Sequence, residues 1–364
     1  MQGKAAIFTS VGTPIEISNV PIPAVEPGAV LVRVTLANIC GSDLHMWRGE
    51  SFVKPGRSIL GHEMCGVVAE LGAGINTDSM GEPLAVGDRV TYAYFYPCGH
   101  CQVCISGNRP ACPHRLKQRR GRSKEEPIYW MGAYAQYYYL RPGHYIFKVP
   151  DDLTDDMIAP VNCALAQVMY SLHQAPVKFG DSVVIQGAGG LGVNATAVAR
   201  EMGAGKVIVV DKFRDRLELA GAFGADELID MNEYPTPEDR VARVRALTKG
   251  QGADVVCEFV GIPAVVAEGV AMLRPGGKYI LVGNINENLT LPFDVSTVVN
   301  GNKQLIGIAT YEPWAIAKSI QLMQKTKDRF PFGKVLSHKF PLEQINEAFV
   351  QADEGKVTRA GIVP

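Results

Sequence analysis

A chain of 364 residues, 47% apolar and 20% charged, is long enough for about two packed domains and too apolar to stay disordered. Its 36 basic residues against 37 acidic ones leave a net charge of −1, so no global field draws nucleic acid or an anionic membrane. No apolar run reaches bilayer length, and the opening stretch MQGKAAIFTSVG lacks the layout of a secretory signal. The eight cysteines are therefore expected in a reducing cytoplasm, with metal rather than disulfide as their use.

The first part of the chain reads as β-rich. Val30, Val32, Val34 and Leu36 alternate with other residues, as in a strand with one buried face, and that strand runs into Cys40. Gly61-His62-Glu63 precedes another apolar run, and Gly87-Asp88-Arg89-Val90 reads as a turn entering a strand. Residues 97–127 are rich in Pro, Gly, Cys and charge, a loop-built lobe that needs a staple. Cys98, Cys101, Cys104 and Cys112, with gaps of two, two and seven residues, supply one, because four thiolates close a structural zinc shell. A disulfide pair, a thioredoxin-like centre or an iron–sulfur cluster are the competing uses; two overlapping C-x-x-C units suit a two-cysteine redox motif poorly. The basic run 115–124 (RLKQRRGRSK) reads as a solvated loop rather than a nucleic-acid site. Cys40, His62 and Cys163 remain for a second, open metal site, although each alone would read as a core residue, as Cys65 and Cys257 do.

From about residue 180 the rhythm changes. Short β-branched runs at 183–186, 207–210, 227–230, 254–257, 279–282 and 304–307 alternate with helical stretches, which predicts a parallel, doubly wound sheet. Gly187-Ala188-Gly189-Gly190-Leu191-Gly192 fits G-x-G-x-x-G, follows the strand-like SVVIQ and precedes a helix over 193–202. In that setting the glycines make a tight turn, admit a pyrophosphate and let helix and strand pack closely. Asp211 ends the next strand, nineteen residues after Gly192, where a carboxylate accepts ribose hydroxyls and repels a 2′-phosphate; this predicts NAD. The alternative is that Asp211 only caps the helix beginning near Phe213. Thr236-Pro237-Glu238-Asp239 opens a helix over 237–249 that Gly250 ends. After about residue 309 the pattern is helical, then extended to Pro364.

These motifs jointly resemble the zinc-dependent medium-chain alcohol dehydrogenases, over essentially the whole chain. Gly61-His62-Glu63-x-x-Gly66 followed by Gly72 matches the family's signature segment, with Ile75 where valine is usual. The resemblance implies an α/β protein in which a GroES-like β-rich catalytic domain (1–163) carries the zinc lobe. A Rossmann cofactor domain (164–308) would follow, and 309–364 would return to the first. It implies that Cys40, His62 and Cys163 hold a catalytic zinc, with Glu63 an acid behind the metal that approaches it during ligand exchange. Asp43 would orient the histidine ligand. Ser42 would take the substrate's proton, which the cofactor ribose and His45 pass outward; a helix-surface role is the alternative for His45. Arg216 would lie near the adenosine ribose and Arg359 would reach the pyrophosphate. Gly41 stands where some members carry a phosphate-binding arginine, which predicts weaker dinucleotide binding and faster NADH release. Trp47, Tyr94 and Tyr134 fall near pocket-lining segments, with Trp130 close in sequence. Three aromatic walls favour a bulky apolar, cyclic or aromatic alcohol, unless they only pack lobe against sheet. A polyol or amino-alcohol dehydrogenase and a non-catalytic zinc and NAD-binding protein are the other readings. A homodimer or homotetramer is implied by the family.

Overall fold

The computed structural model describes residues 1–50, 57–115, 128–285, 289–291 and 293–364. The basic run 115–124, apart from Arg115, and the stretch 116–127 of the cysteine lobe lie outside the described residues. The chain forms two compact units, one of residues 1–166, 312–326 and 332–364, the other of residues 167–311 and 327–331. The short stretch 327–331, expected in the return segment, thus clusters with the second unit. Among the described residues no helix is long and apolar enough to cross a membrane.

The first unit is built on a seven-stranded sheet. Its order is His338–Pro341, Ala360–Val363, Val30–Asn38, Glu63–Leu71, Arg89–Tyr92 and Ile146–Lys148, with Tyr137–Leu140 also paired to Val30–Asn38. A smaller antiparallel sheet of Gln2–Phe8, Glu16–Pro21 and Ser58–Ile59 accompanies it. Alternation in Val30–Asn38 is only partial. Leu31 is as buried as Val30 and Val32, because the strand lies inside the sheet and both of its faces are covered. Val30–Asn38 runs antiparallel to Glu63–Leu71 with Asn38 opposite Glu63. The end of one strand therefore meets the start of the other, and Cys40, two residues past Asn38, comes level with His62, one residue before Glu63. Gly61 holds a left-handed φ of 89°, and a Cβ there would stand 2.8 Å from the Tyr134 ring, so only glycine admits this approach to His62.

The second unit carries a six-stranded parallel sheet. Its order is Glu227–Asp230, Lys206–Asp211, Ser182–Gln186, Ala253–Glu258, Leu273–Leu281 and Gln304–Gly307. The strand order reverses beside Ser182–Gln186, the switch point at which such sheets open a ligand crevice. The six strands centre on the six β-branched runs, and the helices Gly190–Glu201 and Pro237–Leu247 stand where the sequence predicts them. Thr236 caps the latter by accepting the Asp239 N–H at 3.1 Å. Apolar side chains of successive strands, Val184, Ile208, Ile229, Val256 and Tyr279, form this unit's core.

Candidate metal centres and dinucleotide turn

The cysteine lobe brings its four sulfurs together. Cys98 Sγ lies 3.9 Å from Cys104 Sγ and 3.6 Å from Cys112 Sγ, and Cys101 Sγ lies 3.9 Å from Cys112 Sγ. All eight cysteines are free, and these separations are far beyond a disulfide bond. They fit a tetrahedron instead, since zinc–sulfur bonds of ~2.3 Å imply edges of ~3.8 Å. The amide of His100 is the main influence lowering the Cys98 thiol, to about 6, toward the thiolate a metal requires. The lobe is further tied down by Glu312, whose carboxylate accepts from the Arg109 N–H at 3.2 Å and from its guanidinium at 2.8 Å.

The second donor set lies in the first unit at the meeting point of the two strands. Ligand atoms of Cys40, His62, Glu63 and Cys163 all fall within 4.8 Å of one another. Cys40 precedes the helix Gly41–Arg48, and Cys163 sits on a widened turn, Val161–Leu165, whose Leu165 N–H reaches back five residues to the Pro160 carbonyl. Asp43, fully buried, presents one oxygen to His62 Nδ1 at 3.3 Å, while its other oxygen accepts the Cys40 N–H at 3.0 Å and the Tyr134 hydroxyl at 2.8 Å. His62 Nδ1 is thus engaged by a carboxylate, and Nε2 is the atom left to bind a metal. Ser42 Oγ stands 3.4 Å from that Nε2.

The donor set shares protons unevenly. The Cys163 thiol, hydrogen-bonded to Cys40, holds Cys40 well below its ordinary value and is itself pushed well above. Burial, the largest single influence, opposes charge on His62, but Asp43 and Cys40 together outweigh it and keep the imidazole well above its usual range. A divalent cation replaces such shared protons, so two sulfurs and an imidazole suit zinc. Glu63 is fully buried, and burial raises it to about 7 against the pull of the Arg359 guanidinium, with which it is ion-paired. Among the described residues its Oε1 has no hydrogen-bond partner, and it lies close enough to serve as a fourth donor.

The remaining first-unit residues fall as follows. His45 Nδ1 is 2.6 Å from Glu50 Oε2 and is partly exposed. Tyr94 packs its ring 4.8 Å from that of His62, and Trp47 lies against Phe349 at 5.8 Å. One expectation is corrected. Tyr134 is no open pocket wall: it is fully buried, with its hydroxyl committed to Asp43 and the Asn38 carbonyl. Arg359 is buried and ion-paired with Glu63, the partner that lets a cation lie so deep. Trp130 is buried and donates to the Pro21 carbonyl at 2.8 Å.

In the second unit the glycine turn takes the strained form its spacing predicts. Gly187 has φ 93°, and a Cβ on Gly192 would meet the Gly187 carbonyl oxygen at 1.8 Å. Gly190 and Leu191 begin the helix, with Gly189 as its N-cap, leaving free N–H groups for an anion. Asp211 accepts from the Ala188 N–H at 2.6 Å and from the Phe213 N–H at 2.9 Å. It thus ties the glycine turn to the chain entering the next helix, whose N-cap is Phe213. Arg216 lies over the Phe213 ring at 4.5 Å. Two further residues carry no local sequence signal. Glu258, fully buried, accepts from the N–H groups of Val260 and Gly261 at 2.6 Å each and from Asn284 Nδ2 at 2.8 Å, fixing two loops at the carboxyl end of the sheet. In the first unit, Asn162 is bonded to the strand behind His62.

Comparison with known proteins gives a consistent result. Residues 26–151 match the alcohol dehydrogenase GroES-like domain and residues 190–325 match the zinc-binding dehydrogenase domain. The chain is 30% identical to 5-exo-hydroxycamphor dehydrogenase of Pseudomonas putida, over 95% of this chain and 94% of that one. It is 32% identical to an alcohol dehydrogenase of Geobacillus stearothermophilus, over 97% of each. A crystal structure of an alcohol dehydrogenase from Thermotoga maritima superposes with a TM-score of 0.92 at 30% identity, covering 100% of both chains.

Proposed function

Because this chain belongs to the zinc-dependent medium-chain alcohol dehydrogenases, we propose that it oxidises a primary or secondary alcohol to a carbonyl with NAD, using one catalytic and one structural zinc per chain. The observation that carries this reading is the convergence of Cys40, His62 and Cys163 within 4.8 Å, separate from a complete four-cysteine set.

A zinc ion in the open set supplies a Lewis acid that lowers the pKa of a hydroxyl, from ~15.7 to ~7 for water. Cys40, His62 and Cys163 hold it; Asp43 fixes the imidazole, and Arg359 restrains Glu63. Ser42 Oγ, beside His62 Nε2, takes the proton of the substrate hydroxyl, and His45, on the same helix and partly exposed, delivers it to solvent. A nicotinamide cofactor held here would supply the hydride acceptor. Gly187, Gly189, Gly190, Leu191 and Gly192 receive its pyrophosphate and Asp211 its ribose. NAD is favoured over NADP because Asp211 sets a carboxyl group at that position and Arg214 is engaged by Glu218 at 3.4 Å and Glu233 at 3.6 Å.

The substrate is read as bulky and apolar, cyclic or aromatic. Tyr94 beside His62 and the partly buried Trp47 support this, as does similarity to a relative named for hydroxycamphor. The protein is further proposed to be a cytoplasmic homodimer or homotetramer; its eight free cysteines suit a reducing compartment. The test is metal analysis joined to a substrate panel of cyclic and aromatic alcohols, polyols and amino alcohols, each with NAD and NADP. Two zinc ions and NAD-dependent turnover of a cyclic or aromatic alcohol are expected. Preference for a polyol or amino alcohol would replace the substrate reading, and no turnover at all with both metals and NAD bound would leave a binding protein.

A further inference from the structure

We propose that Asn162 is a positioning residue whose carboxamide replaces one rung of the sheet and so sets the separation between His62 and Cys163. This rests on the reading of Cys40, His62 and Cys163 as a metal site.

The strands Glu63–Leu71 and Arg89–Tyr92 are paired at Gly66 with Val90 and at Val67 with Arg89. Continued by two residues, that register sets Met64 opposite Tyr92, but the ladder ends before it. The fully buried side chain of Asn162 enters there instead. Its Oδ1 accepts the Met64 N–H at 3.3 Å, and its Nδ2 donates to the Tyr92 carbonyl at 2.8 Å and the His62 carbonyl at 3.1 Å. A carboxamide offers an acceptor and two donors in one plane, one donor more than a peptide group, and among side chains of this length only asparagine provides that set. Thr91 Oγ1 satisfies the Met64 carbonyl at 3.1 Å, so the widened rung leaves that group paired as well.

The wedge acts on both ligands. It grips the backbone carbonyl of His62 directly. The next residue in the chain is Cys163, on a widened turn of the kind that recurs at functional sites. One side chain therefore links the strand bearing the imidazole to the turn bearing the thiolate. Past the wedge, the Tyr94 ring lies against His62. Aspartate would fill the same volume with no donor and set a carboxylate against two carbonyl oxygens. Glutamine would keep every donor and acceptor but push the strands apart by one methylene.

The test compares zinc content and the rate of zinc release to a chromogenic chelator in the full-length unmutated protein, Asn162→Asp and Asn162→Gln. The four-cysteine site serves as an internal reference. The unmutated protein is expected to carry two zinc ions per chain, released in two phases. In both variants the phase belonging to the Cys40 site should weaken in affinity by about 10–100-fold, the range for groups that orient metal ligands, with the four-cysteine phase unmoved. After cobalt substitution, the absorption of the Cys40 site should shift in both variants. Release and spectra equal to those of the unmutated protein in a folded variant would overturn the proposal. Should Asn162→Asp fail to fold, Asn162→Gln decides it. Fewer than two zinc ions in the unmutated protein would remove the metal reading and this proposal with it, an outcome distinguished by appearing before any substitution.

Discussion

The phenol of Tyr134 donates to Oδ2 of Asp43 at 2.8 Å, and the other oxygen of Asp43 faces Nδ1 of His62 at 3.3 Å. An aromatic residue thus steadies the carboxylate that steadies the histidine. Tyr134→Phe keeps the ring packing and removes only the donor, which should destabilise the protein by about 1–3 kcal/mol, the usual loss when a buried group is left short of a partner. Thermal unfolding and zinc content check this. An unchanged Tm and unchanged zinc retention would show that the phenol does not support Asp43.

Ser42→Ala is expected to cut turnover far more than NAD affinity, because its hydroxyl stands beside the metal-facing nitrogen of His62. Steady-state rates and NAD titration separate the two effects. Equal losses of both would assign Ser42 a positioning role instead.

Cys104→Ser should remove one zinc per chain and lower stability while the second zinc stays. The four sulfurs of the lobe form a shell separate from the Cys40 set, and a lobe held by metal loses its folding energy with it. Metal analysis of the purified variant reads the first effect and thermal unfolding the second; loss of both zinc ions would contradict their independence.

Gly41→Arg should slow NADH release. A Cβ at Gly41 meets no heavy atom within 4 Å, so the backbone has room for a side chain there, and the substitution would restore the cation that the resemblance to some family members implies. Stopped-flow displacement of NADH measures the off-rate, and an unaltered value counts against the idea.

Arg359→Ala would leave Glu63 buried without its cation, a change that typically costs about 3–5 kcal/mol. Denaturant unfolding gives the loss, and Arg359→Ala combined with Glu63→Gln should recover part of it. No recovery in the double variant would indicate that the guanidinium acts through other contacts.

Legibility in the sequence followed the range of the interactions. The glycine turn, Asp211, the Thr236 cap and the four-cysteine lobe are local arrangements, so their spacing nearly determines their geometry. Cys40, His62 and Cys163 were readable as a set through a family resemblance, not through spacing. The roles of Tyr134, Arg359, Asn162 and Glu258 were not readable. Each depends on a strand register or loop approach that brings distant backbone groups together, and no local pattern of residue types encodes such a meeting. Tyr134 looked like a pocket wall because aromatic character is visible in sequence, whereas the direction of its hydroxyl is not.

Glu63 and Arg359 stand 296 positions apart. During synthesis all three sulfur and nitrogen donors emerge long before the arginine that restrains the carboxylate. Until the arginine follows, the Glu63 carboxylate lacks its cation. Only when Ala360–Val363 docks beside Val30–Asn38 can the guanidinium reach it. The charge balance around a carboxylate from the first quarter of the sequence is thus completed by one of its last strands.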